Sequence, residues 1–305
     1  MKWNRNSTRV AVVAATCVWA LQSAAQAVTI TGWDFQNYGP TPPTVPPYIN
    51  SPTPDLGVVG IGTATALGMT NSYTYSTTPT PTVGSVTAAD ILNTPGSSTD
   101  TTPTGTSTTD LSWRVRGPGN KVTGVPGTGN GWNLAAPQFT QGAEFAVPTS
   151  GFTGIIVSYD WFTTNQGVAD QVAQYTTNGT TWTSVPTSAS VNPAGPNYYM
   201  VATPNAFNNL ITIDFGALGI TSVENNPNFA VRMVSVYDPN YTGAGAPTYT
   251  GASGGVYNNN SGNWRWDNVI VSGTAIPTPE PSTIALAVFG LIGLGCHAAR
   301  RRYFA

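Results

Sequence analysis

The stretch from Gly154 to Phe162 constrains the fold of this chain more than any other. Ile155, Val157, Tyr159 and Trp161 fall on one side of a period-two pattern, and Ile156, Ser158, Asp160 and Phe162 on the other. A β-strand gathers each set on its own face, and an α-helix gathers neither. Segments 210–215, 228–237 and 264–271 repeat the style. Both faces are largely apolar, as in central strands covered on both sides. Asn178-Gly179, between Tyr175 and Trp182, predicts a hairpin, because Asn-Gly supplies the two positive φ values of a type I′ turn. Outside the two ends no segment has convincing helical periodicity. The expected fold is therefore all-β, a two-sheet β-sandwich of jelly-roll type.

Two regions interrupt the strands. Segment 40–54 is Pro-rich and reads as an extended crossing. Segment 75–109, dominated by Thr, Ser, Pro and Gly, reads as a long surface excursion within the same domain, with a short turn at 88–92. An interdomain linker is the alternative, but residues 28–74 are too strand-poor to fold separately. The domain thus runs from 28 to 276.

The two ends differ in kind from this domain. Lys2, Arg5 and Arg9 precede an apolar run, and Ala25 and Ala27 stand at the spacing of a secretory cleavage site. This predicts a signal-peptide helix over 1–27, cut by signal peptidase after Ala27 to leave Val28 as the new N-terminus. At the other end, residues 284–296 are apolar or glycine throughout. The run reaches Ala299 if His297 is tolerated, at or below the short limit of about 17 residues for a transmembrane helix. Gly290, Gly293 and Gly295 loosen it further. Arg300, Arg301 and Arg302 follow as a cytoplasmic anchor, which places the domain outside the inner membrane. Pro277, Pro279 and Pro281 keep Glu280 on an extended segment, a form suited to an enzyme that must read it.

Pro279-Glu280-Pro281-Ser282, followed by an apolar helix and the three arginines, resembles the PEP-CTERM sorting signal of Gram-negative bacteria. The resemblance covers only residues 277–305. It implies transient anchoring in the inner membrane, processing by exosortase, a transpeptidase-like membrane enzyme, and release or transfer to the cell surface or exterior. Such substrates accompany exopolysaccharide production and biofilm. A Pro-rich linker before a plain membrane anchor is the other reading, and Cys296 and His297 depart mildly from the pattern.

Cysteine and histidine usage limits the chemistry of the remaining domain. Of the chain's two cysteines and one histidine, Cys17 lies in the first segment and Cys296 and His297 in the last. Residues 28–276 therefore hold neither type. They rely on core burial, or on a bound ion, in a compartment where disulfides would form. Ser-His-Asp and Cys-His catalysis, zinc sites on His or Cys and haem ligation by His are excluded for that segment. Its basic residues are Arg114, Arg116, Lys121, Arg232 and Arg265, in a chain of formal charge −2. That balance makes nucleic acid an unfit partner.

Three charges sit inside apolar strand patterns. Arg232 alternates with Ala230, Val234 and Val236, Asp267 with Val269 and Val271, and Asp160 lies between Ser158 and Phe162. Each is expected to face an apolar layer and to be paired, as a structural network or a ligand site. Residues 264–273 resemble the closing strand of secreted jelly-roll domains, carbohydrate-binding modules among them, several of which hold a structural calcium where first and last strands meet. No cofactor is expected beyond a structural calcium, for which that resemblance makes Asp34 and Asp267 the candidate ligands. Trp132, Trp182, Tyr198 and Tyr199 are candidate platforms for sugar rings, against a core role for most tryptophans. The segment 175–182 echoes the Asp-box hairpin of sialidase-like proteins, with Thr177 where its Asp would stand. The leading expectation is a non-enzymatic extracellular or cell-surface matrix protein. A carbohydrate-binding module for exopolysaccharide is the alternative. A carboxylate-based hydrolase ranks third, since Glu144 and Glu224 are the glutamates of the domain and neither lies in an E-x-D-x-E strand.

Overall fold

The computed structural model describes residues 26–35, 52–57, 61–68, 89–92, 112–116, 132–186, 199–257, 262–277, 288–294, 296, 297, 300 and 301. It is mostly strand with little helix. The strands are β1 (Ala27–Trp33), β2 (Thr63–Leu67), β3 (Ala89–Leu92), β4 (Ser112–Arg116), β5 (Gly142–Ala146), β6 (Phe152–Thr163), β7 (Asp170–Thr176), β8 (Thr183–Ser184), β9 (Tyr199–Val201), β10 (Ala206–Asp214), β11 (Ala230–Ser235) and β12 (Asn263–Ala275). They form two sheets. The first runs β10-β6-β12-β4-β3, with β1 also pairing β12, and the second β2-β5-β11-β7-β8, with β9 also pairing β7. The registers are antiparallel throughout.

The alternation in β6 explains its central place. Ile155, Val157, Tyr159 and Trp161 are all buried in the common core, while Ile156, Ser158 and Phe162 on the other face are half-buried. From the second sheet, Phe145, Val231 and Met233 enter the same core. Trp33 meets Phe145 edge-on at 5.1 Å, and Trp113 meets it at 5.9 Å, so aromatic rings tie the two sheets together. Each such pair adds about 1 kcal/mol beyond its burial. Six tryptophans, Trp33, Trp113, Trp132, Trp161, Trp264 and Trp266, are fully buried. This aromatic mass does the work that cysteines would do in a smaller exported domain.

β12 changes phase midway. Trp264 and Trp266 face the core, and so do Val269 and Val271, although the two pairs have opposite parity. Asn268, with φ of 47°, takes up the extra residue as a bulge. Its neighbour also changes there, from β4 up to Trp266 to β1 from Val269 onward. β10 carries a second irregularity between Asn208 and Ile211, with Leu210 at φ 55°.

Two expectations are corrected. The turn expected at 88–92 is the strand β3, held by pairing with β4. The Asn178-Gly179 hairpin exists, but β7 and β8 pair as Tyr175 with Thr183, leaving a wider loop than a two-residue turn. Gly179 has φ of 75°, and Asn178 is absent from the positive-φ residues. Asn178 instead organises the loop by accepting at Oδ1 from the backbone N–H groups of Thr180 and Thr181, at 2.9 and 2.8 Å. In the tail, residues 288–294, 296, 297, 300 and 301 are helical, with Phe289, Leu291 and Leu294 exposed, and the rest of the expected helix lies outside the described residues. No helix among the described residues is long and apolar enough to cross a membrane. Residues 27–274 form one compact unit, and the remaining residues at both ends a separate one. The expected signal-peptide helix over 1–27 lies outside the described residues, apart from positions 26 and 27.

Candidate functional site

The outer face of the second sheet carries a row of polar side chains. Thr65 of β2 stands opposite Glu144 of β5, Glu144 opposite Arg232 of β11, Arg232 opposite Gln174 of β7, and Gln174 opposite Ser184 of β8. Directly opposed residues share a face. That face points away from the core, because the alternate residues Ala64, Phe145, Val231, Met233 and Ala173 line the core. Arg232 was expected on an apolar face and paired; it stands half-buried between the buried Ala230 and Val234, on the side of β11 opposite the core residues Val231 and Met233, and is bonded to Gln174.

Arg232 organises the row. Its Nε and Nη2 both donate to Gln174 Oε1, at 2.8 and 2.6 Å. Gln174 is 5% exposed and donates through Nε2 to Ser184 Oγ at 3.2 Å. The guanidinium also lies 4.2 Å from the centre of the Trp182 ring. Burial pushes the Glu144 carboxyl above its usual range, and the charge of Arg232 opposes that rise. Burial likewise lowers the Arg232 guanidinium, with Glu144 acting to restore it. The result is a mostly half-buried row holding one anion, one cation, an amide, two hydroxyls and an indole. It offers hydrogen bonds and a stacking surface, and it supplies one carboxylate where glycoside hydrolysis uses two.

Trp182 is the one tryptophan among the described residues that retains exposure. Trp132, the other candidate platform, is fully buried and packed at a tilt 4.4 Å from Trp264, so no sugar ring reaches it. Tyr198 lies outside the described residues, and Tyr199 opens β9 opposite Val172. Sequence reasoning missed Glu144 and Gln174. Their signal was outward parity in strands whose alternate residues are apolar.

The other buried charges have separate roles. Asp160, 1% exposed, accepts at Oδ1 from the Leu210 N–H at 2.5 Å and at Oδ2 from Asn268 Nδ2 at 3.1 Å. It therefore joins the irregularities of β10 and β12 across β6. Asp170, also 1% exposed, accepts at Oδ2 from Thr250 Oγ1 at 2.7 Å. Burial first, and then the neighbouring Asp238, push its carboxyl up to about 7, against the Thr250 hydrogen bond.

β1 and β12 do meet, with Trp33 opposite Val269, which brings Asp34 to the level of the β12 bulge. Asp34 is half-buried and donates its backbone N–H to Asp55 Oδ1 at 2.8 Å. Asp267 is fully buried, and its Oδ1 accepts the Asn268 N–H at 2.8 Å. Calcium takes six to eight oxygens. Among the described residues no group of three or more Asp, Glu, His or Cys side chains comes together to hold a metal.

At the ends, Ala25, Pro279, Glu280, Pro281, Ser282 and Arg302 lie outside the described residues. Ala27 and Val28 open β1 opposite Thr274 and Gly273. Arg300 and Arg301 are helical and exposed.

No curated protein matches the chain. A solved structure, the enzymatically active domain of bacteriophage CBA120 tailspike protein 4, is similar at 13% identity and a TM-score of 0.28. The match covers 70% of this chain and 19% of that one, and a likeness so low carries no argument. The family comparison concerns the tail alone. At residues 277–302 the chain carries a PEP-CTERM protein-sorting motif, which marks an exported, cell-surface-directed protein and supports an exosortase substrate.

Proposed function

We propose that this is a non-enzymatic protein of the cell surface or extracellular matrix, processed by signal peptidase and exosortase and associated with exopolysaccharide or biofilm. The observation that carries the reading is the sorting motif at 277–302. The domain fits it: an aromatic core without cysteine, a low charge, and a half-buried row of polar side chains on the outer face of the second sheet. The chain crosses from sheet to sheet between β5, β6 and β7 and again between β10, β11 and β12, which favours the jelly-roll form of the sandwich. A second reading, direct recognition of polysaccharide, is favoured by the half-buried Trp182 packed against Arg232. The test of the main reading is P279A/E280A/P281A in the producing cell. The triple variant is expected to accumulate unprocessed in the inner-membrane fraction, and its release at the normal level contradicts the proposal.

A further inference from the structure

We propose that the outer face of the second sheet binds an uncharged polysaccharide laid across the strands, along Thr65, Glu144, Arg232, Gln174 and Ser184, with Trp182 stacking on one sugar ring. This deepens the polysaccharide reading above and rests on it. The row crosses five adjacent strands, so at about 4.8 Å per strand it is about 19 Å long. Its length suits a chain of several rings better than a single small molecule.

The unfilled groups along the row define the ligand's chemistry. Glu144 has no hydrogen-bond donor among the described residues and presents acceptor oxygens. Arg232 spends Nε and Nη2 on Gln174, and its Nη1 has no hydrogen-bond acceptor among the described residues. Ser184 accepts from Gln174 and keeps its hydroxyl hydrogen to donate, and Thr65 is an exposed hydroxyl. The row thus offers both donors and acceptors. Saccharide hydroxyls, which both donate and accept, match such a mixture. The indole supplies the flat apolar surface that the face of a sugar ring needs. One side of that indole is held by Arg232, and the ring makes no other aromatic or cationic contact among the described residues.

The same groups argue against other occupants. The single cation of the row faces the single anion in register, so the face lacks the excess positive charge that would favour a polyanion. A peptide strand needs a free sheet edge, whereas Glu144, Arg232 and Gln174 stand on β5, β11 and β7, which are paired on both sides, and the end strands β2 and β8 carry only the hydroxyls Thr65 and Ser184. A purely apolar ligand would strip water from Glu144 and Arg232 without replacing it. Gln174 is a positioning residue: it is buried, and it fixes Arg232 and Ser184 before any ligand arrives.

The experiment is affinity gel electrophoresis of the full chain in mild detergent. The gels contain β-1,3-glucan, β-1,4-glucan or α-1,6-glucan as neutral probes, or alginate as an anionic one. At least one neutral probe is expected to retard the protein equally at low and high salt. W182A should weaken that retardation about tenfold or more, W182F should largely retain it, and both variants should melt near the parent temperature. Retardation by alginate alone would overturn the uncharged ligand and leave polysaccharide recognition standing. No retardation by any probe would remove both. Undiminished retardation of a folded W182A protein would overturn the placement on this face.

Discussion

At Asp160 a carboxylate with 1% exposure accepts from the backbone of β10 and the side chain of β12. Asp160→Ala leaves both donors without this acceptor and should cost about 2 kcal/mol, read as a lower urea midpoint with an unchanged slope. Asp170 carries a different prediction. Its carboxyl is raised from 3.8 to about 7, so in that window the folded protein keeps a proton that the unfolded chain releases. Stability therefore falls as pH rises from about 4 to about 7, by about 4 kcal/mol at most, and the loss is complete above. Melting at about pH 5 should exceed melting at about pH 8, and Asp170→Asn, which keeps an acceptor for Thr250, should flatten the profile. The sequence marks Asp160 and Arg232 as charges in apolar patterns, but their partners could not be read from it. Leu210, Asn268 and Gln174 come from other strands, and only register brings them near.

At the scale of elements, simple parity succeeds in β6 and fails in β12. β6 keeps one phase over its length, and its core residues are those the alternation names. In β12 the tryptophan pair and the valine pair differ in parity, and the bulge at Asn268 reconciles them. A single-phase reading therefore puts Asp267 on the wrong footing. β3 was hidden for another reason: its four residues sit in a Thr- and Pro-rich stretch and owe their form to β4. The polar row was the least legible feature, since its five members are scattered between Thr65 and Arg232 and meet only through four registers. The junction of β5 and β11 is a sharp test of that geometry. Gly142 has φ of 153°, and a Cβ there would collide with the backbone carbonyl of Met233. Gly142→Ala should cost about 3 kcal/mol or more, because strand backbone has to move, and differential scanning calorimetry should show the drop in melting temperature.

The whole molecule divides into a compact strand unit at 27–274 and a separate unit of terminal residues. Six buried tryptophans hold the first without a cysteine anywhere in 28–276, so the exported domain should melt at the same temperature with and without reductant. Its tail was the most legible part of the sequence, because a sorting enzyme reads local chemistry in order along the chain and needs no register. The tail also decides the central claim. Intact mass spectrometry of the protein recovered outside the cell should give a species that begins at Val28 and lacks the apolar run and the arginines of 284–305. A recovered mass that retains residues 284–305 would contradict the account.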